Sequence, residues 1–174
     1  MDKQRHDTFK EQWHGIHDIV ISDAKRQIKM FGKVNAKLLT DKMQEEFAKW
    51  PQGILAQGVW FQKFHAETPD YAIKFMTEAM DFTIQEPKNN HIPSGNWLYV
   101  ITLFLALLVG VALYEHTTLS IIEQCFYPLL FLVVLNTFCV PIKNRLQLKA
   151  ERAIIVDIDE QMDEMEHIVE RFLD

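Results

Sequence analysis

Two apolar runs, separated by only four residues, constrain this chain more than any other feature of its sequence. The first, Trp97 to Tyr114, has no charged residue and as a helix would extend roughly 27 Å, close to the thickness of a hydrocarbon core. The second, Leu119 to Ile142, carries Glu123 near its start and is otherwise uncharged. Because residues 115–118 leave room only for a tight reversal, the sequence predicts a hairpin of two transmembrane helices.

The charges beside these runs predict their orientation. The link 115–118 contains no Lys or Arg, so the positive-inside rule places both termini in the cytoplasm. A very apolar buried hairpin in a soluble protein is the alternative, and it explains the charge asymmetry less well. The basic residues after the second run are expected at the membrane surface, against anionic headgroups. They are Lys143, Arg145, Lys149 and Arg152.

The whole chain is predicted to be all-α, because residues 1–90 show helical signals throughout, the two apolar runs suit transmembrane helices and the C-terminal segment has heptad spacing. Residues 1–90 are expected to form a cytoplasmic helical domain, and 91–96 a polar linker. Residues 97–142 form the predicted transmembrane hairpin, and 143–174 a cytoplasmic amphipathic helix.

Four helices are predicted before the linker. The first ends near Gly32, and the second runs from a cap at Thr40 to Trp50, before Pro51. A third covers about 54–66. The apolar face of the first helix recurs in steps of three or four residues. It comprises Phe9, Trp13, Ile16, Val20, Ala24, Ile28 and Phe31.

The fourth helix has the clearest start signal. Thr68 is the predicted cap, Pro69 suits the first helical position, and Asp70 lies in the first turn. One face of this helix is expected to be apolar. Its residues are Tyr71, Phe75, Ala79 and Phe82.

The C-terminal segment carries an a/d pattern typical of a coiled coil. Its partner is either the first helix of the same chain or the same helix in neighbouring subunits of an oligomer. Residues 157–174 contain eight acidic residues and only one basic residue, Arg171, so the outer face is expected to be solvated. The predicted contact residues are Ile155, Ile158, Met162, Met165, Val169 and Phe172.

Polar and small residues inside the apolar runs predict helix packing or a pore lining, because an unpartnered polar group is costly in lipid. Asn136 lies well inside the second run, where it either bonds to another helix or faces a pore. Pro128 is expected to kink the helix and Pro141 to break it. The candidate pore or packing residues are Asn136, Gln124, Glu123, Thr102, Ala106 and Gly110.

A homo-oligomeric ring of identical hairpins accounts for these residues together with the C-terminal heptads. In such a ring the second run lines the axis, and the acidic tails attract cations to the cytoplasmic mouth. A simple membrane anchor needs only sufficient length. The asparagine and the two prolines therefore favour an assembling, pore-forming helix.

No catalytic residue, cofactor or metal is predicted. The chain lacks the phosphate-binding and nucleophile motifs of common enzymes. His14, His17 and Asp18 lie about one helical turn apart, yet further metal ligands are missing. Direct nucleic-acid binding is not expected, because 24 acidic residues exceed 18 basic ones and the net charge is −6.

The plan of a small helical part and two adjacent spans resembles the two-span effectors of bacterial defence systems. It is most similar to the membrane accessory protein family of type VI-B CRISPR systems. That family carries an R-x4-6-H ribonuclease motif, which this chain lacks: Asp157 stands at the first His position after Arg152, and Arg5, Arg26 and Arg145 also lack a suitable His. A helical ribonuclease is therefore disfavoured.

The resemblance implies a homo-oligomeric pore in the bacterial inner membrane. Such a pore would perturb the membrane when an RNA-guided nuclease of the same defence system detects phage RNA, with no stable contact to that nuclease. The expected partners are then other copies of the chain and membrane lipids. The alternative is a membrane-anchored adaptor that recruits a cytoplasmic partner and conducts nothing.

Overall fold

The computed structural model describes residues 3–52, 56–116 and 120–173. Every regular element in these ranges is helical, which confirms the all-α prediction. The long helices are α1 (Lys3–Phe31), α2 (Ala36–Phe47), α3 (Ala56–Glu67), α4 (Pro69–Asp81), α5 (Asn96–His116) and α6 (Ile121–Glu170). A short 3₁₀ turn, Trp50–Gln52, lies between α2 and α3.

The chain divides into two compact units. The helical domain consists of Met1–His91 and Glu151–Asp174, and the apolar unit consists of Ile92–Ala150. The C-terminal part of α6 therefore belongs to the same unit as the N-terminal helices. Within the predicted segment 143–174, residues 143–150 fall in the apolar unit and 151–174 in the helical domain.

Helix α1 has the predicted face and the predicted end. Six of the seven expected apolar side chains are no more than 6% exposed. Phe31 is the exception, with 66% of its surface exposed, because the helix stops there. Gly32 adopts a φ of 68° and donates its N–H to the Ile28 carbonyl at 2.8 Å, which closes the last turn.

Helix α2 starts four residues before the predicted cap. Asn35 is the N-cap, and its side chain accepts a hydrogen bond from the Leu38 N–H at 3.3 Å. Thr40 lies inside the helix, where its hydroxyl donates to the Ala36 carbonyl at 3.0 Å. The same hydroxyl accepts from the Ile84 N–H at 3.0 Å. The prediction of Thr40 as a cap was wrong because this residue serves a contact distant in sequence.

Helix α4 begins at Pro69, as predicted, and Thr68 occupies the N-cap position without a side-chain cap bond. The Thr68 hydroxyl instead donates to the Phe64 carbonyl at 3.1 Å, so Thr68 is the N-cap residue, as predicted, but its side chain caps no N–H of the helix. The buried face contains Ala72 rather than Tyr71, which is 54% exposed. Phe75 and Ala79 are fully buried. The predicted start of the third helix at Ile54 lies outside the described residues.

Aromatic side chains form the centre of the helical domain. The ring centroids of Trp50 lie 4.9 Å from Phe47, 5.5 Å from Trp60 and 5.7 Å from Phe75. Phe9 on α1 lies 5.9 Å from Phe75 in an edge-to-face arrangement. Rings at these separations bury large areas and add a favourable quadrupole interaction. The cluster therefore ties α1, α2, α3 and α4 into one core.

The heptad residues of α6 are buried in this same core. Ile158, Met162, Met165 and Val169 are fully buried within a single chain, so these four are not free to contact other subunits as the oligomer prediction required. The stripe begins at Ile154 and ends at Leu173. Ile155 and Phe172, which were expected at the contact, are only half-buried.

Polar pairs hold the same part of α6 beside α1. His17 Nε2 lies 3.0 Å from an Asp159 carboxylate oxygen. His6 Nδ1 and Lys10 Nζ lie 3.1 and 3.2 Å from the Glu170 carboxylate. Residue numbers rise along α1 from His6 to His17 while those of their partners fall along α6 from Glu170 to Asp159, so the two helices are antiparallel. The partner of the C-terminal stripe is thus the same chain, one of the two partners considered from the sequence.

Helix α6 continues without interruption through Pro128 and Pro141. The prediction that Pro141 breaks the helix was wrong. A proline removes one backbone hydrogen bond and displaces one carbonyl, and bonds on either side carry the helix past that defect.

Candidate functional site

Helices α5 and α6 are both long and apolar enough to cross a membrane. Only 17% of the apolar window in α5 and 6% of that in α6 are buried. The core helix of a soluble protein would be mostly covered by its own chain. Large apolar side chains instead remain exposed along both helices, including Phe104, Leu107, Leu129 and Phe138, each 61–63% exposed.

Contacts within the apolar unit join α5 to the first half of α6. Thr102 meets Asn136, and a Cβ added to Gly110 would lie 3.4 Å from Pro128 Cγ. Residue numbers rise along α5 as they fall along α6, so the two stretches run antiparallel. Thr102, Asn136 and Gly110, which form these contacts, are among the small and polar residues that the sequence singled out.

The Thr102 hydroxyl lies at the centre of this contact. Its oxygen is 2.9 Å from the Tyr99 carbonyl and 3.1 Å from Oδ1 of Asn136. A hydroxyl carries one proton and can serve only one of these acceptors well. If the amide is rotated so that Nδ2 takes the place of Oδ1, Asn136 donates to Thr102 while Thr102 donates to Tyr99. Both polar side chains are then paired inside one chain.

The small-residue stripe of α5 faces α6 of its own chain. Thr102 is 3% exposed and Ala106 is 6% exposed, although most of the surrounding side chains on α5 are exposed. Gly110 is half-buried against Pro128. Thr102 and Gly110 of this stripe therefore lie against Asn136 and Pro128 of the same molecule.

Lys143 occupies the far end of the same contact. Its Nζ lies 5.2 Å from the centre of the Tyr99 ring, within cation–π distance. A Cβ on Gly95 would lie 2.7 Å from Lys143 Cγ, so only glycine leaves room for the lysine stem there. Gln147 Nε2 donates to the Pro93 carbonyl at 3.2 Å. Arg145, Lys149 and Arg152, the other basic residues predicted at a membrane surface, are exposed.

Glu123 has a local role at the start of α6. Its carboxylate accepts from the backbone N–H of Ser120 at 3.0 Å and from the Ser120 hydroxyl at 2.8 Å. The Ser120 hydroxyl also lies 3.4 Å from the Glu123 N–H, completing a capping box. The S-x-x-E spacing at 120–123 could have revealed this cap from sequence. Gln124, the other candidate at this end, is half-buried.

The two histidines considered for a metal site have different surroundings. His17 pairs with Asp159, whereas His14 is exposed. Within residues 3–52, 56–116 and 120–173, no group of three or more His, Cys, Asp or Glu side chains could hold a metal ion. The candidate site is therefore the contact between α5 and the first half of α6.

In comparisons with known proteins, no family model, no curated protein and no solved structure matches this chain. The resemblance to the CRISPR accessory family accordingly rests on the plan of the chain alone.

Proposed function

We propose that this chain is a two-span membrane protein that holds its helical domain at the cytoplasmic surface as an adaptor for another protein. The observation that carries the proposal is the pairing of Thr102 with Asn136 inside one chain. This pairing satisfies polar groups that would otherwise require another subunit. The outer surfaces of α5 and of the apolar first part of α6, residues 121–142, suit contact with lipid.

The orientation in this proposal follows the basic residues after the second span. Lys143, Arg145 and Lys149 lie on the cytoplasmic side, where the positive-inside rule and anionic headgroups favour them. Both termini are then cytoplasmic. Lys143 lies against Tyr99, and such a lysine–aromatic pair suits the boundary between hydrocarbon and water.

The helical domain is the part available for recruitment. Its core is closed by α6, so a partner would bind its surface and not complete its fold. Glu160, Asp163 and Glu164 are exposed on α6 and present an acidic face to the solvent. A basic surface on the partner would complement this face and speed association at low ionic strength.

A homo-oligomeric pore acting in CRISPR-associated antiviral defence is the second candidate. One observation favours it over a bare anchor. Asn136 is only half-buried, and its side-chain amide can form more hydrogen bonds than the one to Thr102. A second molecule could use that remaining capacity when several hairpins assemble.

The mass of the detergent-solubilised protein, measured by light scattering with the detergent subtracted, separates the two candidates. The adaptor is expected to be a monomer and to cause no ion leak in liposomes. A discrete multimer that conducts ions, with the leak lost in Asn136→Leu, would replace the adaptor with the pore. Thr137→Val is the matched control, since the Thr137 hydroxyl bonds to the Val134 carbonyl of its own helix.

A further inference from the structure

The turn between α1 and α2 presents apolar side chains to the solvent. The α1–α2 tip, residues 29–38, contains Met30, Phe31 and Leu38, which are 65%, 66% and 53% exposed. Val34, in the same ten residues, is 2% exposed and anchors the tip in the helical domain. The tip therefore holds three large apolar side chains outward while its middle is buried.

Hydrogen bonds fix the backbone of the tip. The Val34 N–H donates to Asn90 Oδ1 at 2.7 Å, and Asn90 Nδ2 donates back to the Val34 carbonyl at 2.5 Å. The Asn35 N–H donates to Gln27 Oε1 at 2.8 Å. Because these bonds hold the turn in one conformation, the exposed side chains are displayed on an ordered surface. Little conformational entropy would be lost when that surface binds.

The charge of the tip is entirely positive. Lys29, Lys33 and Lys37 are exposed, and residues 29–38 contain no Asp or Glu. Within the described parts of the chain, none of these lysines forms an ion pair. This local excess contrasts with the net charge of −6 for the whole protein.

We propose that the α1–α2 tip docks onto the surface of a bilayer containing anionic phospholipids. Exposed Met, Phe and Leu side chains can enter the headgroup region, while the surrounding lysines contact phosphate groups. The long lysine stems can lie along the apolar surface and keep their ammonium groups in water. An anionic bilayer offers both an apolar interior for these side chains and negative charge for the lysines. This combination favours a bilayer over an acidic protein or a second positively charged tip.

The short segment between the tip and α5 supports docking to a bilayer. Asn90, which holds the tip, is six residues before Asn96 at the start of α5, and six extended residues cover at most about 20 Å. If α5 crosses the membrane, the tip is tethered within reach of that same bilayer. The inference therefore rests on the proposed membrane location, and its test must separate the two.

The test uses the full chain in nanodiscs made of phosphatidylcholine, with or without phosphatidylglycerol. In a background of Cys125→Ala and Cys139→Ala, a fluorescent probe is attached at Leu38→Cys. Quenching by nitroxide-labelled lipids then reports contact with the bilayer. Tyr71→Cys on α4, 54% exposed in the native protein, is the matched control away from the tip, and Leu107→Cys reports the first span.

The expected result is quenching of the Leu38→Cys probe in discs that contain phosphatidylglycerol and not at Tyr71→Cys. Each replacement among Lys29→Gln, Lys33→Gln and Lys37→Gln should shift the docking equilibrium by about fivefold. Lys63→Gln, an exposed site on α3, should leave it unchanged. A second probe at Met30→Cys repeats the measurement if the first labelled variant loses helicity.

Any one of four results overturns the inference. Quenching at Leu107→Cys without quenching at Leu38→Cys rejects tip docking and leaves the membrane location intact. Equal quenching in phosphatidylcholine alone rejects the assignment to anionic lipid. If the Leu38→Cys probe is shielded from quenching to a degree that depends on protein concentration and not on lipid charge, the tip contacts a second copy of the chain instead of lipid. Loss of quenching at Leu107→Cys rejects the proposed membrane location itself.

Discussion

The Thr102 hydroxyl and the Asn136 side-chain amide lie 3.1 Å apart and join α5 to α6. The two residues are far apart in sequence, and apart from Thr137 beside Asn136 their near neighbours on each helix are apolar. A polar pair in such surroundings has few alternative partners, so it selects one register of the two helices over its neighbours.

Replacing this pair should loosen the contact between α5 and α6. Thr102→Val and Asn136→Leu are each expected to destabilise it by about 0.6–1.7 kcal/mol, the range for hydrogen bonds between membrane helices. The measurement is unfolding in mixed detergent, monitored by helicity. In the double variant the two effects should not add, because both remove the same bond.

Thr137→Val is the control for this pair, since its hydroxyl bonds to the Val134 carbonyl on the same helix. It should change stability by less than either pair variant. Additive effects of Thr102→Val and Asn136→Leu would show that the two side chains do not interact in solution.

Gly110→Leu should force the two helices apart. A Cβ at this position already lies 3.4 Å from Pro128 Cγ, so the further carbons of a leucine side chain would crowd the proline ring. Overpacking of this kind costs about 1–3 kcal/mol. Gly110→Ala adds only a Cβ at van der Waals distance and removes a glycine from the helix interior, so it is expected to destabilise less than leucine in the same detergent unfolding experiment. Equal stability of the two variants would contradict the close approach.

Gly95→Ala and Gly15→Ala should have opposite effects. Gly95 has a φ of +67° and its Cβ would lie 2.7 Å from Lys143 Cγ, so alanine is strained and displaces the lysine stem. The expected loss is about 1–3 kcal/mol. Gly15 lies inside α1 with nothing within 4 Å of an added Cβ, and alanine there should stabilise by about 0.5–1 kcal/mol. Denaturant unfolding of both variants compares the signs directly.

Met162→Ala should destabilise the helical domain by about 2–5 kcal/mol, because it leaves a cavity where a fully buried side chain lay. Tryptophan fluorescence can follow the unfolding, since Trp13 and Trp50 lie in the same core. Met30→Ala, at a site 65% exposed, is the matched control and should change little.

The burial of Met162 within one chain also predicts that this unfolding midpoint does not depend on protein concentration. A coiled coil between subunits would instead become more stable as concentration rises. A midpoint that increases with concentration would restore the contact between subunits predicted from the heptads.

Asn90→Ala should weaken the attachment of the α1–α2 tip. It removes both hydrogen bonds to the Val34 backbone and leaves a buried N–H and carbonyl without partners, at a cost of about 1–3 kcal/mol. Faster hydrogen exchange at residues 33–36 is the expected signature. Asn89→Ala, at an exposed neighbouring position, should leave exchange at these residues unchanged.

Local features of the sequence determined the helices and their chemical character. The length of the apolar runs identified α5 and the start of α6 as segments able to cross a membrane, because that property depends on composition and length alone. The steps of three and four residues identified the buried face of α1. Gly32 marked the end of α1, since a positive φ is easy only for glycine.

The tertiary structure decided which faces meet. The α6 heptads were compatible with a subunit partner or an intrachain partner, and the chosen partner depends on chain connectivity and on the space beside α1. Thr40 was an acceptable cap, yet its hydroxyl serves Ile84, which lies far along the chain. The pairing of Thr102 with Asn136 was likewise hidden, because hydrophobic periodicity specifies a face of each helix and not the residue opposite it.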